Sequence, residues 1–259
     1  MITPILMAKL LIVPSMLLLL TLVGRRYGPA LAGLLSALPV FAGPVLFILA
    51  LEQGNAFAAE AAHGTLLAIV AILVFSLTYA WMALNAGVVL SLLSSYVTYS
   101  LTAYLLQFVR LPIELCFAAV IGLLLCAQWG FPKVATQQAV SPPTGPFDLL
   151  LRMVLGASLV LGVTYFAPIF GSRMSGIIAM FPLMTTVLVG FSHHHSGGVF
   201  AIALLRGMVY GYFSFAIFCF LLSLSLPNFS LVVSFLIAVP GVLAGQLIAR
   251  YFLMRRKTA

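Results

Sequence analysis

The run LLAIVAILVF at residues 66–75 consists of ten consecutive apolar side chains and decides the class of fold. A strand of an outer-membrane barrel would alternate apolar and polar residues over about ten positions. An unbroken apolar run instead predicts a helix, which satisfies its own backbone hydrogen bonds and can therefore lie in lipid. The apolar stretch extends over 58–83, which exceeds the roughly 20 residues that a bilayer crossing requires.

The composition extends this prediction to the whole chain. Of the 259 residues, 64% are hydrophobic, 6% are charged, and only 4 are Asp or Glu. A soluble domain carries about 25% charged residues, so we expect a membrane protein whose main partner is the lipid bilayer. The net charge of +8 comes from Lys and Arg scattered at the ends of apolar runs, which argues against nucleic acid as a partner. No phosphate loop, dinucleotide fingerprint or zinc-protease motif occurs, so we expect neither an enzyme nor a cofactor.

Apolar runs bounded by Gly, Pro and charged residues predict an all-α transmembrane helix bundle of about nine spans. The spans are predicted at 4–24, 29–51, 58–83, 86–108, 111–130, 149–169, 174–192, 199–225 and 229–252. One hydrophilic stretch contains KVATQQAVSPPTGP, whose prolines oppose helix formation. We therefore divide the chain into residues 1–130, a polar linker loop at 131–147, and residues 148–259 with a basic tail.

The basic residues predict the orientation of the spans, because Lys and Arg near span ends favour the cytoplasmic side. With nine spans, one side collects nine of the twelve Lys and Arg residues, including Arg25, Arg26 and the tail at 255–257. We expect a multi-pass protein of the bacterial inner membrane with its N-terminus outside and its C-terminus in the cytoplasm.

The second half of the chain resembles the first. GPALAGLLSALP at 28–39 aligns with GSRMSGIIAMFP at 171–182, and the alignment continues without gaps over 28–64, with seven identities in 37 positions. The identities include four glycine pairs and one proline pair, whose backbone roles make them more informative than apolar matches. Among the identical pairs are Gly28 with Gly171, Gly33 with Gly176, Gly54 with Gly197, and Pro39 with Pro182. We call this ungapped alignment, extended over the whole chain, the repeat register.

We interpret this similarity as a duplication, with four spans in the second copy and one extra span in the first, assigned to 86–108. Five crossings then separate equivalent helices, and an odd number inverts the second copy relative to the first. Inverted repeats around a site at the membrane midplane are a recurring plan of transporters.

Each half also resembles the small inner-membrane proteins of the GlpM/YdgC type, whose second helix carries an AGL-x-x-x-FP pattern. Ala32-Gly33-Leu34 with Pro39, and Ser175-Gly176-Ile177 with Phe181-Pro182, carry this resemblance. The resemblance implies an inner-membrane location and a link to envelope polysaccharide production. The chain differs from that family by fusing two copies and adding a span.

Few ionisable residues lie in the spans, and such residues are candidates for function. Glu60 and His63 are three positions apart and share one helical face, where a carboxylate beside an imidazole could exchange a proton. Arg206 is the equivalent of His63 in the second copy, so we predict a site for a small solute or proton formed by Glu60, His63 and Arg206. The alternative is that Glu60 and His63 are hydrated at the interface.

Pro39 and Pro182 are the other candidate site residues, because a helix broken by proline exposes backbone groups. The alternative is a simple packing kink. We expect the glycines at 28, 33, 54, 171, 176 and 197 to be structural. His193, His194 and His195 point in different directions on a helix, so we expect a hydrated turn and no metal.

The sequence thus favours a secondary transporter or permease for a small solute. The alternative is a non-catalytic accessory protein that packs against an envelope-biogenesis partner, with a lipid-modifying enzyme third. The sequence leaves a homo-oligomer open.

Overall fold

A computed structural model describes residues 42–134 and 181–255, together with isolated positions at 15, 18, 22, 26, 27, 34, 35, 150, 154, 158 and 177. These residues contain six helices and no strand, which confirms the all-α prediction for this part of the chain. The helices are α1 (Ala42–Gln53), α2 (Asn55–Met82), α3 (Val88–Leu106), α4 (Ile113–Gly130), α5 (Leu183–Ser225) and α6 (Leu231–Arg255). All except α1 are long and apolar enough to cross a membrane.

Five predicted spans coincide with these helices to within a few residues. The spans at 58–83, 86–108 and 111–130 correspond to α2, α3 and α4, and those at 199–225 and 229–252 to the second part of α5 and to α6. The spans at 4–24, 149–169, most of 29–51 and the first part of 174–192 lie outside the described residues. So do Gly28, Gly33, Pro39, Gly171, Gly176 and the linker beyond Val134, and the count of nine spans stays a prediction.

Two glycines separate a short helix from a long one. Gly54 joins α1 to α2 with φ 88° and ψ 164°, and Gly197 interrupts α5 with φ 82° and ψ 168°. These are the two positive φ angles in the described part of the chain. Since a side chain is strained in this region of φ and ψ, glycine is the residue that permits both corners. We refer to 183–196 as the short segment of α5 and to 198–225 as its long segment.

The long segment of α5 runs antiparallel to α2. The Asn55 side chain at the start of α2 donates a hydrogen bond to the carbonyl of Phe229, just beyond the end of α5, at 3.2 Å. At the other end, Gly198 packs against the backbone carbonyl of Ala83, so closely that a side chain at position 198 would collide with it. The two helices therefore lie side by side along their whole lengths.

The remaining helices surround this central pair. α3 packs on α2, α6 packs on α5, and α4 packs on both. α4 runs parallel to α2, because Cys116 near its start lies 3.2 Å from His63 and Gly130 at its end accepts a hydrogen bond from Trp81. The central pair is mostly buried, whereas α3, α4 and α6 expose apolar side chains such as Leu93, Leu125 and Leu236. Such outer faces suit contact with lipid chains.

Each short helix packs against the far half of the chain. Phe47 of α1 makes an edge-to-face contact with Phe235 of α6, with ring centroids 5.2 Å apart. Gly190, in the short segment of α5, packs against Leu92 of α3. The two halves are therefore interlocked.

Helix boundaries recur in the repeat register. α2 spans Asn55–Met82 and the equivalent long segment of α5 spans 198–225, while α3 begins at Val88 and α6 at the equivalent Leu231. This register pairs α3 with α6, whereas the sequence analysis assigned 86–108 as the extra span, and that assignment stays a prediction. That assignment relied on Pro112, which caps the start of α4, and on Pro227, which lies in the turn between α5 and α6.

Candidate functional site

Glu60 and His63 lie in the first turns of α2, as predicted. Glu60 is exposed, and His63 is half-buried with its Nε2 atom 3.2 Å from the thiol of Cys116 on α4. The imidazole is thus held against α4, while the carboxylate points away from the helix packing.

Arg206 lies in the long segment of α5 and is held at the other end of α4. Its Nη2 atom donates a hydrogen bond to the Pro132 carbonyl at 3.1 Å, and its guanidinium carbon lies 5.6 Å from the centre of the Phe131 ring. Phe131 and Pro132 are both buried. The first two residues of the predicted linker therefore belong to the helix packing and anchor this arginine.

The structure does not bring Glu60, His63 and Arg206 together. The partners of His63 and Arg206 lie at opposite ends of α4, a helix of 18 residues that is about 27 Å long at the α-helical rise per residue. Because α2 and the long segment of α5 are antiparallel, positions that are equivalent in the repeat register lie towards opposite ends of the pair. The three residues therefore do not form one pocket.

Pro182 marks an interruption of helical structure in the second half. Ile177 is helical, Phe181 and Pro182 are not, and α5 begins at Leu183. The Phe181 ring stacks on Tyr96 and meets Tyr99 edge-on, with centroid distances of 5.4 and 5.6 Å. The aromatic rings of α3 thus fix the point where α5 starts.

Backbone carbonyls upstream of both prolines accept hydrogen bonds from side chains. Tyr99 of α3 donates to the Ile177 carbonyl at 3.2 Å, and Gln246 of α6 donates to the Leu34 carbonyl at 2.9 Å. Leu34 and Ile177 are equivalent in the repeat register, and each precedes its proline by five positions. In a continuous helix the Ile177 carbonyl would accept from the Phe181 N–H, but Phe181 is not helical. The donor lies on α3 in one case and in the other on α6, which begins at the equivalent position of the repeat register.

Hydroxyl groups gather around the start of α5. Thr186 donates to the Pro182 carbonyl at 2.6 Å and is joined to the Tyr96 hydroxyl. Tyr212, at the midpoint of the long segment, has its hydroxyl beside those of Thr185 and Ser76, although neither contact has the geometry of a hydrogen bond. This cluster was not predicted from the sequence, although two threonines after Phe-Pro and a tyrosine in an apolar run are visible signals.

His193 lies beyond this cluster, within the short segment of α5. Its Nδ1 atom is 3.0 Å from the Tyr79 hydroxyl, whereas His194 and His195 are exposed. All three are helical, so the expected turn is instead the last turns of a helix before Gly197. Among the described residues, no three His, Cys, Asp or Glu side chains are grouped to hold a metal ion.

The groups at the start of α5 can donate hydrogen bonds in a region enclosed by apolar side chains. Such an arrangement can bind and orient a ligand that carries acceptors, but this cluster of described residues contains no nucleophile activated by a base. No known protein family, curated protein or solved structure matches this chain.

Proposed function

We propose that the protein is a secondary carrier of the bacterial inner membrane, which moves a small solute by alternating access. The observation that carries this proposal is the antiparallel pairing of α2 with the long segment of α5, two helices whose bounds coincide in the repeat register. If these helices are copies of one another, the halves have inverted topology, which is a common plan of secondary carriers.

The backbone conformation at two equivalent glycines also supports a duplication. Gly54 has φ 88° and ψ 164°, and Gly197 has φ 82° and ψ 168°. This region of φ and ψ is used by almost no residue except glycine. A short helix, a corner of this kind, and a long helix follow in the same order in both halves. An unrelated pair of helical hairpins would have no reason to share all three features.

Side-chain contacts also recur at equivalent positions. Thr98 of α3 donates a hydrogen bond to Thr78 of α2 at 3.1 Å, and their equivalents in the repeat register, Gly241 and Leu221, pack together. The contact of Phe47 with Phe235 corresponds in the same way to that of Gly190 with Leu92. The residue types differ between the two contacts of each set, but the positions in contact are equivalent in the repeat register.

The interlocked halves suit the motion that a carrier needs. Each short helix is linked through a glycine corner to its own half and packs on the opposite one, so the halves can tilt without separating. Alternating access in inverted-repeat carriers is largely such a rigid-body movement of one repeat against the other. The interruption at Pro182 places the backbone groups of a helix start near the middle of the long helices, where these carriers bind solute.

Charge supports the proposed orientation. Lys133 follows the end of α4, and Arg255 is the last residue of α6. Because α4 and α6 both run antiparallel to the long segment of α5, both residues lie at the end of the bundle where that segment begins. Arg110 lies between α3 and α4 at the opposite end. By the positive-inside rule, the end with Lys133 and Arg255 faces the cytoplasm.

Flux measurements on purified protein in liposomes test the proposal. We expect at least one small solute, from a panel of organic anions and neutral metabolites, to enter faster than into protein-free liposomes when a pH gradient is imposed. The pH gradient is chosen because Glu60 and His63 could couple solute to protons. Absence of flux of every solute, and of protons, under either direction of gradient would contradict the proposal and favour an accessory role.

A cross-linked variant supplies the control for movement. Asn55→Cys with Phe229→Cys, in a background where Cys116, Cys126 and Cys219 are replaced by Ala, places one thiol in each half at the Gly54 end. Oxidation should stop flux and reduction should restore it, because the bridge holds one orientation of the halves. Each single-cysteine variant should be insensitive to oxidation.

A further inference from the structure

The first turn of α5 presents backbone donors without helical acceptors. The first hydrogen bond within the helix joins the Thr186 N–H to the Pro182 carbonyl at 2.8 Å, and no side chain caps the start. The N–H groups of residues 183–185 therefore lack partners within the helix. A helix start also carries a partial positive charge of about half a unit.

Tyr212 provides a second and independent observation at the same place. Its side chain is only 3% exposed, and its hydroxyl has no hydrogen-bond partner. The hydroxyl lies beside those of Thr185 and Ser76, but it is not in hydrogen-bonding geometry to either of them. A buried hydroxyl without a partner is unfavourable, so this group is suited to an acceptor that arrives with a ligand.

The first half shows that the fold does not need these hydroxyls. In the repeat register, Thr185 and Tyr212 are equivalent to Ala42 and Ile69, which are both buried and apolar. The corresponding places in the first half are thus filled without any polar group. The hydroxyls of Thr185 and Tyr212 are a feature of the second half alone, which points to a ligand rather than to folding.

The chemistry of the ligand follows from the donors. The identified groups donate hydrogen bonds, and the positive charge they offer is the partial charge of one helix start. Arg206 does not add to it, because its guanidinium is engaged by Phe131 and Pro132 on the α4 side. The start of α5 can therefore compensate a single negative charge. It would not compensate the two charges of a dianion in a region of low dielectric constant.

We propose that the start of α5, with the hydroxyls of Thr185 and Tyr212, binds the carboxylate of a small monovalent organic anion. The role of this anion as the transported solute rests on the proposed carrier function. Tyr212 lies at the midpoint of the long segment of α5, so the site is at the depth where a carrier holds its solute.

Equilibrium dialysis of purified protein with radiolabelled acetate tests the site. We expect saturable binding of one acetate per chain, displaced by unlabelled propionate and not by acetamide, which has the same shape but no charge. The double variant Thr185→Ala with Tyr212→Phe should bind acetate about tenfold more weakly or worse, because it loses hydrogen bonds to a charged group. Tyr212→Phe alone removes only an unpartnered hydroxyl, so it should fold and show part of this loss.

The matched control is Thr65→Ala with Ser95→Ala. Both residues are buried and lie on α2 and α3, and both hydroxyls are engaged within their own helices, since Thr65 donates to the Ala61 carbonyl and Ser95 to that of Ser91. This variant should bind acetate as the parent does. Equal loss in both double variants would overturn the proposal, as would absence of saturable binding or displacement by acetamide.

The outcomes separate this site from the carrier function. Saturable acetate binding without flux of any solute in liposomes would keep the site and reject the carrier. Flux of a neutral solute without acetate binding would reject the site and keep the carrier.

Discussion

Gly54 and Gly197, which are equivalent in the repeat register, adopt the same backbone conformation at the two corners where a short helix meets a long one. Their φ angles are 88° and 82° and their ψ angles are 164° and 168°. An added Cβ would meet no atom within 4 Å at either position, so backbone conformation, rather than space, demands glycine there.

Substitution of either corner glycine by alanine should therefore destabilise the protein to a similar degree. We expect Gly54→Ala and Gly197→Ala each to lower the free energy of unfolding by about 1–3 kcal/mol, the cost of a side chain in this region of φ and ψ. Reversible unfolding in mixed detergent micelles measures the change. Gly122→Ala on α4 is the control, because its Cβ also meets nothing within 4 Å and alanine favours helix.

Gly198 should be intolerant of alanine for a different reason. Its Cβ would collide with the Ala83 carbonyl, a backbone atom that cannot rotate away, and overpacking of this kind costs about 1–3 kcal/mol. Reversible unfolding in mixed detergent micelles measures the loss, and unchanged stability would contradict the close approach.

Two buried tyrosines should respond oppositely to loss of their hydroxyls. Tyr99→Phe removes the hydrogen bond to the Ile177 carbonyl and should cost about 1 kcal/mol. Tyr212→Phe removes a hydroxyl without a partner and should leave stability unchanged or raise it by up to about 1 kcal/mol. Thermal unfolding of the two variants side by side measures the difference, and a larger loss in Tyr212→Phe would mean that its hydroxyl is satisfied.

Two glutamines allow a similar comparison. Gln246 donates to the Leu34 carbonyl and accepts a hydrogen bond from Ser214, so Gln246→Met should cost about 1–3 kcal/mol. Neither polar atom of the Gln128 side chain has a partner, so Gln128→Met, which nearly conserves volume, should be neutral or stabilising. Chemical unfolding of both variants tests the pair, and equal losses would refute the assigned hydrogen bonds.

The sequence was sufficient to predict most of the described helices, because a long apolar run can satisfy its backbone in lipid only as a helix. Five spans agree with α2, α3, α4, α6 and the long segment of α5 to within a few residues. The pairing of helices between the halves was harder to predict. The sequence alignment over 28–64 stops short of α3 and α6, and Pro112 and Pro227 suggested a different pairing from the one in which Val88 and Leu231 are equivalent.

The candidate site was harder to predict because it depends on the direction of helices. When the two halves are aligned in sequence, Arg206 falls at the position of His63, close to Glu60. The antiparallel packing nevertheless puts the contacts of His63 and Arg206 at opposite ends of α4. Thr185 and Tyr212 lie on different segments of α5, and they meet because the corner at Gly197 folds the short segment back along the long one. No local pattern specifies that meeting.

The central claim, inverted halves, is tested most directly by the sidedness of cysteines in intact cells. In the variant without native cysteines, Gln53→Cys and Asn228→Cys report on the Gly54 end, and Ser196→Cys and Lys133→Cys report on the Gly197 end. We expect a membrane-impermeant thiol reagent to label 53 and 228 in intact cells, and 196 and 133 only after the membrane is permeabilised. Labelling of 53 and 196 from the same side would contradict the inverted arrangement.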